Sequence, residues 1–106
     1  EIDKLITPSF AGYSTHVFHQ YTLQLVGVNR DAIRAYLAKH NIPSMIYYPI
    51  PLHKQKGYLD TRYSEGHFPI SEKLSETVFS LPISPNLTNE QQEFIIEHVL
   101  KFLGNE

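Results

Sequence analysis

"HVFHQYTLQLV", residues 16–26, followed at once by "NRDAIRAYLAKHN", residues 29–41, decides the fold. The first run is rich in aromatic and β-branched residues, which suit a pleated, half-buried surface, and it predicts a strand. Alternation places Val17, His19, Tyr21, Leu23 and Leu25 on one face, and the second half of that face is apolar, so it is expected to look into a core. The second run changes period. Ile33, Tyr36, Leu37 and His40 recur at helical spacing. Asn29 is placed to cap a helix that begins at Arg30, and Asn41, which tolerates the left-handed conformation, is placed to stop it.

Working outward, "IPSMIYYP" predicts a short second strand ended by Pro49. Residues 49–67 then form an irregular excursion holding Pro49, Pro51, Gly57 and Gly66. Loops beyond about 12 residues inside compact domains are usually functional or disordered. Tyr58, Tyr63 and Phe68 argue against disorder here. "FPISEKLSETVFSLPI" reads as a helix entered through Pro69, with Ile70, Leu74, Val78 and Leu81 along one side, and "SLPIS" as a short strand after it. In "LTNEQQEFIIEHVLKFLG", Thr88 and Gln91 form a capping box, Ile95, Val99 and Phe102 a buried stripe, and Gly104 a stop. No element is evident before residue 16. The expected fold is α+β, a small antiparallel sheet of two to three strands with helices packed on one face.

Composition bounds the function. The chain has 106 residues, enough for one domain that buries about 65% of its unfolded surface. Its net charge is -2 and its pI near 6.3, which leaves no basic footprint for nucleic acid. There are no cysteines, hence no disulfide framework and no thiolate metal site. No apolar run approaches a membrane span, and the start has no signal-peptide pattern, so a cytoplasmic location is expected. The chain opens without a methionine, as expected of a domain from a longer polypeptide or one with an irregular leader; a processed or tagged small protein is the alternative.

The six histidines are the obvious candidates for chemistry. On a strand, His16 and His19 would point to opposite faces and could not chelate one metal. His40 and His98 read as boundary residues on helices, and His67 as a turn residue. His19 and His53 stand apart. His19 begins the inward face of a strand beside Gln20 and Tyr21. His53 follows Pro49 and Pro51, which fix φ and push their preceding residues to extended geometry. A segment so constrained meets a ligand without paying for loop ordering. Lys54 and Lys56 lie in the same loop, within reach of an anionic ligand. No nucleophile triad and no glycine-rich phosphate cradle can be assembled.

The segments "HVFHQYTLQL", "RDAIRAYLAKHNI", "YYPIPLHKQKGYLD" and "FPISEKLSETVFSLPISPNLTNEQQEFIIE", in that order, resemble the C-terminal end of DegT/DnrJ/StrS-type sugar aminotransferases over residues 13–103. The combination Y-P-x-P-x-H, F-P-x-x-E-K and S-L-P carries the resemblance. It implies a parent enzyme of the aspartate aminotransferase fold that uses pyridoxal phosphate to move an amino group, usually from glutamate, to a keto group of a nucleotide-linked sugar. It further implies residues 1–15 as an interdomain segment and 16–106 as the small domain, with a homodimer formed through the large domain. The Schiff-base lysine belongs to that large domain, and none of the six lysines here has a matching context, so the resemblance implies no cofactor on this chain and no catalytic residue in it. It implies substrate-binding roles for His19, Gln20, Tyr21, Tyr48 and His53 at the cleft. The sequence departs from the family at Phe18, where Tyr is frequent, and at Asn41, where Gly is usual. A stand-alone ligand-sensing or protein-interaction module is the competing reading.

Overall fold

A computed structural model describes residues 3–104. Three antiparallel strands form one sheet in the order β1 (Leu5–Ile6), β2 (Tyr21–Leu25) and β3 (Val78–Leu81). Three helices, α1 (Arg30–Lys39), α2 (Pro69–Thr77) and α3 (Asn89–Gly104), complete the α+β domain. Two short 3₁₀ turns, Leu52–Lys54 and Lys56–Tyr58, interrupt the long loop. None of the described helices is long and apolar enough to cross a membrane.

The core joins one face of the sheet to α1 and α3. Leu23 and Leu25 of β2 and Phe79 of β3 cluster with Ile33 and Leu37 of α1 and with Ile95, Val99 and Leu103 of α3. Leu23 lies opposite Phe79 in the ladder, so these side chains share a face. Thr22 and Ser80, also paired, fall on the other face, where their hydroxyls lie 2.8 Å apart in a hydrogen bond.

Helix α1 forms as its sequence dictates. Asn29 is extended, and its Oδ1 accepts the Ala32 amide at 2.9 Å. Ile33 and Leu37, four apart, are fully buried. Asn41 adopts φ 58°, which lets its amide reach the Ala38 carbonyl and the Ile42 amide reach that of Leu37. This is the paired bonding of a Schellman stop, and buried Ile42 joins Leu37 in the core as the hydrophobic contact such stops carry.

Helix α3 opens on the capping box. The Gln91 amide donates to Thr88 Oγ1 at 3.2 Å, and the Thr88 amide donates to Gln91 Oε1 at 3.0 Å. Its buried stripe is Ile95, Val99 and Leu103; Phe102 is half-buried against Tyr36, with ring centroids 5.3 Å apart. The helix runs through Gly104, and the stop expected there rests on residues outside the described ones. Thr88→Ala should cost about 0.5–2 kcal/mol. Thermal unfolding should show this as a lower midpoint; an unchanged midpoint would mean that the box contributes nothing.

Four expectations are corrected. The strand begins at Tyr21, not residue 16. Phe18 has φ 46°, and its amide is taken by His16 Nδ1 at 2.8 Å, so residues 16–20 leave the extended run. The ladder with β3 also ends at Tyr21–Leu81. Val17 is accordingly exposed. The strand expected in "IPSMIYYP" shrinks to one bridge, Met45 to Ser80, between Pro43 and Pro49. The helix entered at Pro69 stops at Thr77 and gives way to β3. There Ser75 and Thr77 hydroxyls bond back to the Glu72 and Lys73 carbonyls, and the β-branched, aromatic run that follows prefers a strand. Ile70 is exposed, while Leu74 is 37% exposed. Finally, an element does precede residue 16: β1 pairs Leu5 with Leu25 and Ile6 with Gln24, and Lys4 Nζ donates to the Leu103 carbonyl.

Candidate functional site

The loop at 49–67 is ordered by its own chemistry. After Pro51 the chain makes two tight turns, closed by Lys54 and Gln55 amides to Pro51 and Leu52 carbonyls and by the Tyr58 amide to Gln55. The Gln55 side chain returns to the Ile50 carbonyl. Further on, Asp60 and Tyr63 bridge, and Arg62 grips the Asp60 carboxylate through Nε and Nη2, the latter at 2.6 Å. Those bonds hold the Asp60 carboxyl below the usual carboxylate range. The Arg62 guanidinium also lies 5.6 Å from the Tyr63 ring centre. His67 closes a turn onto Ser64, as its sequence position suggests.

His53 sits at the centre of this loop. Its side chain is only 8% exposed, and its Nε2 lies 2.8 Å from Glu72 Oε1 on α2. Nε2 therefore donates to the carboxylate, which leaves Nδ1 as the remaining polar atom of the ring. The same Oε1 accepts the Gly66 amide at 2.8 Å, and Lys54 Nζ stands 3.6 Å from Oε2. Gly66 has φ 86°, a left-handed conformation that glycine supplies without strain, and that geometry brings its amide to the carboxylate. The Gly66 bond above all, helped by His53 and Lys54, holds Glu72 below the ordinary carboxylate range against the opposing effect of burial. Glu72 is thus ionised across the neutral range. The Phe68 ring packs between His53 and Tyr63, at 4.9 and 5.5 Å. With Leu52, Tyr58 and Asp60 these residues line a cavity of about 470 Å³.

The other sequence-predicted residues lie elsewhere. His19 is exposed and faces a groove bounded by Ser44, Tyr47 and Leu81. Gln20 and Tyr21 are half-buried where the chain enters β2, with the Tyr21 ring 5.5 Å from Phe18. Tyr21 lines an adjoining groove that shares Leu81, Pro82 and Leu87 with that of His19. Tyr48 is 77% exposed beside Ile50 and Pro51. So His19 and Tyr21 are neighbours across the Leu81–Leu87 rim, while Tyr48 and His53 line two other cavities that adjoin through Leu52 and Ser71. Sequence reasoning missed Glu72. Its signal was the glutamate of F-P-x-x-E-K, which stands in the first turn of α2 and faces back to the loop.

Among the described residues, no group of three or more His, Cys, Asp or Glu side chains is placed to hold a metal ion. Nor does Lys54 suit an imine. Its ammonium is bonded to Glu65 at 2.8 Å, and that bond chiefly raises its pKa, the opposite of what an amine nucleophile needs. What the arrangement offers is binding: rings, hydroxyls and imidazoles on an ordered loop beside a strand end.

The comparisons with known proteins agree on one family. The model of the DegT/DnrJ/EryC1/StrS aminotransferase family matches residues 1–100. A protein of Geobacillus stearothermophilus described as a pleiotropic regulatory protein is 39% identical over 100 residues, covering 94% of this chain and 26% of its own length. A UDP-N-acetyl-3-dehydro-alpha-D-glucosamine 3-aminotransferase of Acidithiobacillus ferrooxidans is 44% identical over 90 residues, which cover 85% of this chain and 23% of that protein. The crystal structure of a DegT DnrJ EryC1 StrS aminotransferase from Brucella abortus superposes with a TM-score of 0.84 at 36% identity, over 96% of this chain and 27% of that one. The chain thus spans about a quarter of the length of the proteins it matches. Sequence, fold and loop together place it: the chain belongs to the DegT/DnrJ/EryC1/StrS aminotransferase family.

Proposed function

We propose that this chain is the C-terminal small domain of a pyridoxal-phosphate-dependent aminotransferase that moves an amino group from glutamate to a keto group of a nucleotide-linked sugar. The observation that carries the reading is the family match over residues 1–100 at about a quarter of the relatives' length. In this reading residues 1–15 lead from the large domain and lend edge strand β1 to the sheet, and 16–106 form the body of the small domain. The parent is a cytoplasmic homodimer joined through its large domains, and it binds neither nucleic acid nor membrane.

The cofactor, when bound to the parent, supplies the electron sink for amino transfer. The lysine that holds it comes from the rest of the parent, consistent with the engaged state of Lys54 here. This chain's part is to bind and orient the acceptor. His19, Gln20 and Tyr21 offer hydrogen-bonding atoms at the entrance to β2, and Tyr48 an exposed hydroxyl beside the proline-locked segment. His53, with Nε2 given to Glu72, retains Nδ1 to accept a hydrogen bond from a sugar hydroxyl. Each such contact is worth about 0.5–1.5 kcal/mol, and more against a charged group.

The test is direct. The full-length protein, given pyridoxal phosphate, glutamate and a 3-keto nucleotide-sugar, should form the amino sugar, and the 106-residue chain alone should form none and retain no cofactor absorption band after dialysis. Amino transfer or a stable stoichiometric band from the chain alone would overturn the small-domain reading. No transfer by the full-length protein with any keto-sugar nucleotide would favour the competing one, a ligand-sensing module, in line with the regulatory description of the Geobacillus relative.

A further inference from the structure

Two ends of one loop converge on one carboxylate. His53 and Lys54 approach Glu72 from the start of the loop, and Gly66 approaches it from the end. The eleven residues between Lys54 and Gly66 run as a closed excursion fastened at its neck. Those residues and their flanks carry Tyr58, Asp60, Tyr63 and Phe68, the walls of the 470 Å³ cavity. The neck is dry. The His53 and Glu72 side chains are 8% and 14% exposed, which strengthens a bond between them relative to the surface pair Lys54–Glu65, whose glutamate is 83% exposed. Besides Glu72, the Lys54–Glu65 pair at 2.8 Å also joins the two ends, on the exposed side of the neck.

We propose that Glu72 is a positioning residue for the acceptor sugar: its carboxylate fastens the 49–67 loop in its binding form, without itself touching the substrate. The inference rests on the aminotransferase reading above. Its physical basis is that a loop left unfastened must be ordered when the ligand arrives, and that cost is taken from affinity. Once the sugar is bound, the loop is ordered and the reacting groups are placed as before. Losing the clamp therefore raises KM for the sugar and leaves kcat at saturation alone. Gln, which keeps the accepting oxygen but not the charge, should restore part of what Ala removes.

The experiment compares full-length wild type, Glu72→Ala and Glu72→Gln by peptide-resolved hydrogen exchange and by amino-transfer kinetics. Glu72→Ala is expected to speed exchange at 53–66 roughly tenfold or more, with 21–25 and 30–39 unchanged, and to raise the sugar KM roughly tenfold. The kcat at saturating sugar and the glutamate half-reaction should stay within about twofold, and Glu72→Gln should fall between. Unchanged exchange at 53–66 would overturn the clamp. Faster exchange at 21–25 and 30–39 as well would make Glu72 a residue of the fold and overturn the proposal too. A loosened loop with an unmoved KM would overturn the positioning role while leaving the aminotransferase reading intact. Absence of amino transfer in the wild type would overturn both, and is distinguished from the other results because it precedes any substitution.

Discussion

Phe79→Ala should destabilise the domain by about 3–5 kcal/mol, measured as a fall in the urea midpoint. Phe79 is 1% exposed and is among the largest fully buried side chains. It stands opposite Leu23 on β2 and belongs to the cluster that joins the sheet to α1 and α3. Alanine there loses the transfer free energy of the ring and leaves a cavity that fixed neighbours cannot fill, because Leu25, Ile33 and Leu37 are anchored by their own elements. A domain of this size has about 5–15 kcal/mol in total, so the variant should be close to unfolding at physiological temperature. Phe79→Leu keeps most of the volume and should lose clearly less. A loss under about 1 kcal/mol for Phe79→Ala would mean that the sheet and helices are not joined through this residue.

The importance of Phe79 could not be read from the sequence, and the reason is instructive. Leu74, Val78 and Leu81 stand at helical spacing, and the run into which Phe79 falls continues a real helix. Four residues of strand leave too short a pattern to overturn that period, and only the ladder partners on β2 decide it. Strand β1 is the same case in extreme form, two residues defined wholly by Leu25 and Gln24. Where the signal is local, the reading holds. Asn29, Ile33, Leu37 and Asn41 specify α1 from end to end, and Thr88 with Gln91 specify the start of α3, because caps and stripes act within a few residues.

The site shows the same division. That Pro49 and Pro51 constrain the approach to His53 follows from chain stereochemistry alone. That Nε2 of His53 is given to a carboxylate 19 residues later does not, since a long-range pair leaves no periodic trace. The family resemblance supplied the motif F-P-x-x-E-K without saying what its glutamate does. Only the fold, by bringing the first turn of α2 against the neck of the loop, gives Glu72 its donors.

Arg30→Met should cost about 1.5–3 kcal/mol. Arg30 opens α1, but its Nη1 crosses to the far end of α2, where it donates to the carbonyls of Ser75 and Val78, the latter at 3.2 Å. The last carbonyls of a helix have no partners within it, and a cation there also meets the negative end of the helix dipole. Ser75 is buried, so water would not readily replace the guanidinium. Methionine keeps most of the length and the apolar stem of the side chain and removes the donors and the charge. Lysine restores one point charge without the planar fork and should recover part of the loss. Chemical denaturation of the three chains checks this. A methionine variant within 0.5 kcal/mol of wild type, or a lysine variant no better than methionine, would show that Arg30 is not the cap of α2. The consequence reaches the loop. Helix α2 is held at its C-terminal end by Arg30 and grips His53 and Gly66 at its N-terminal end through Glu72, so loosening the first hold should also speed hydrogen exchange in the second.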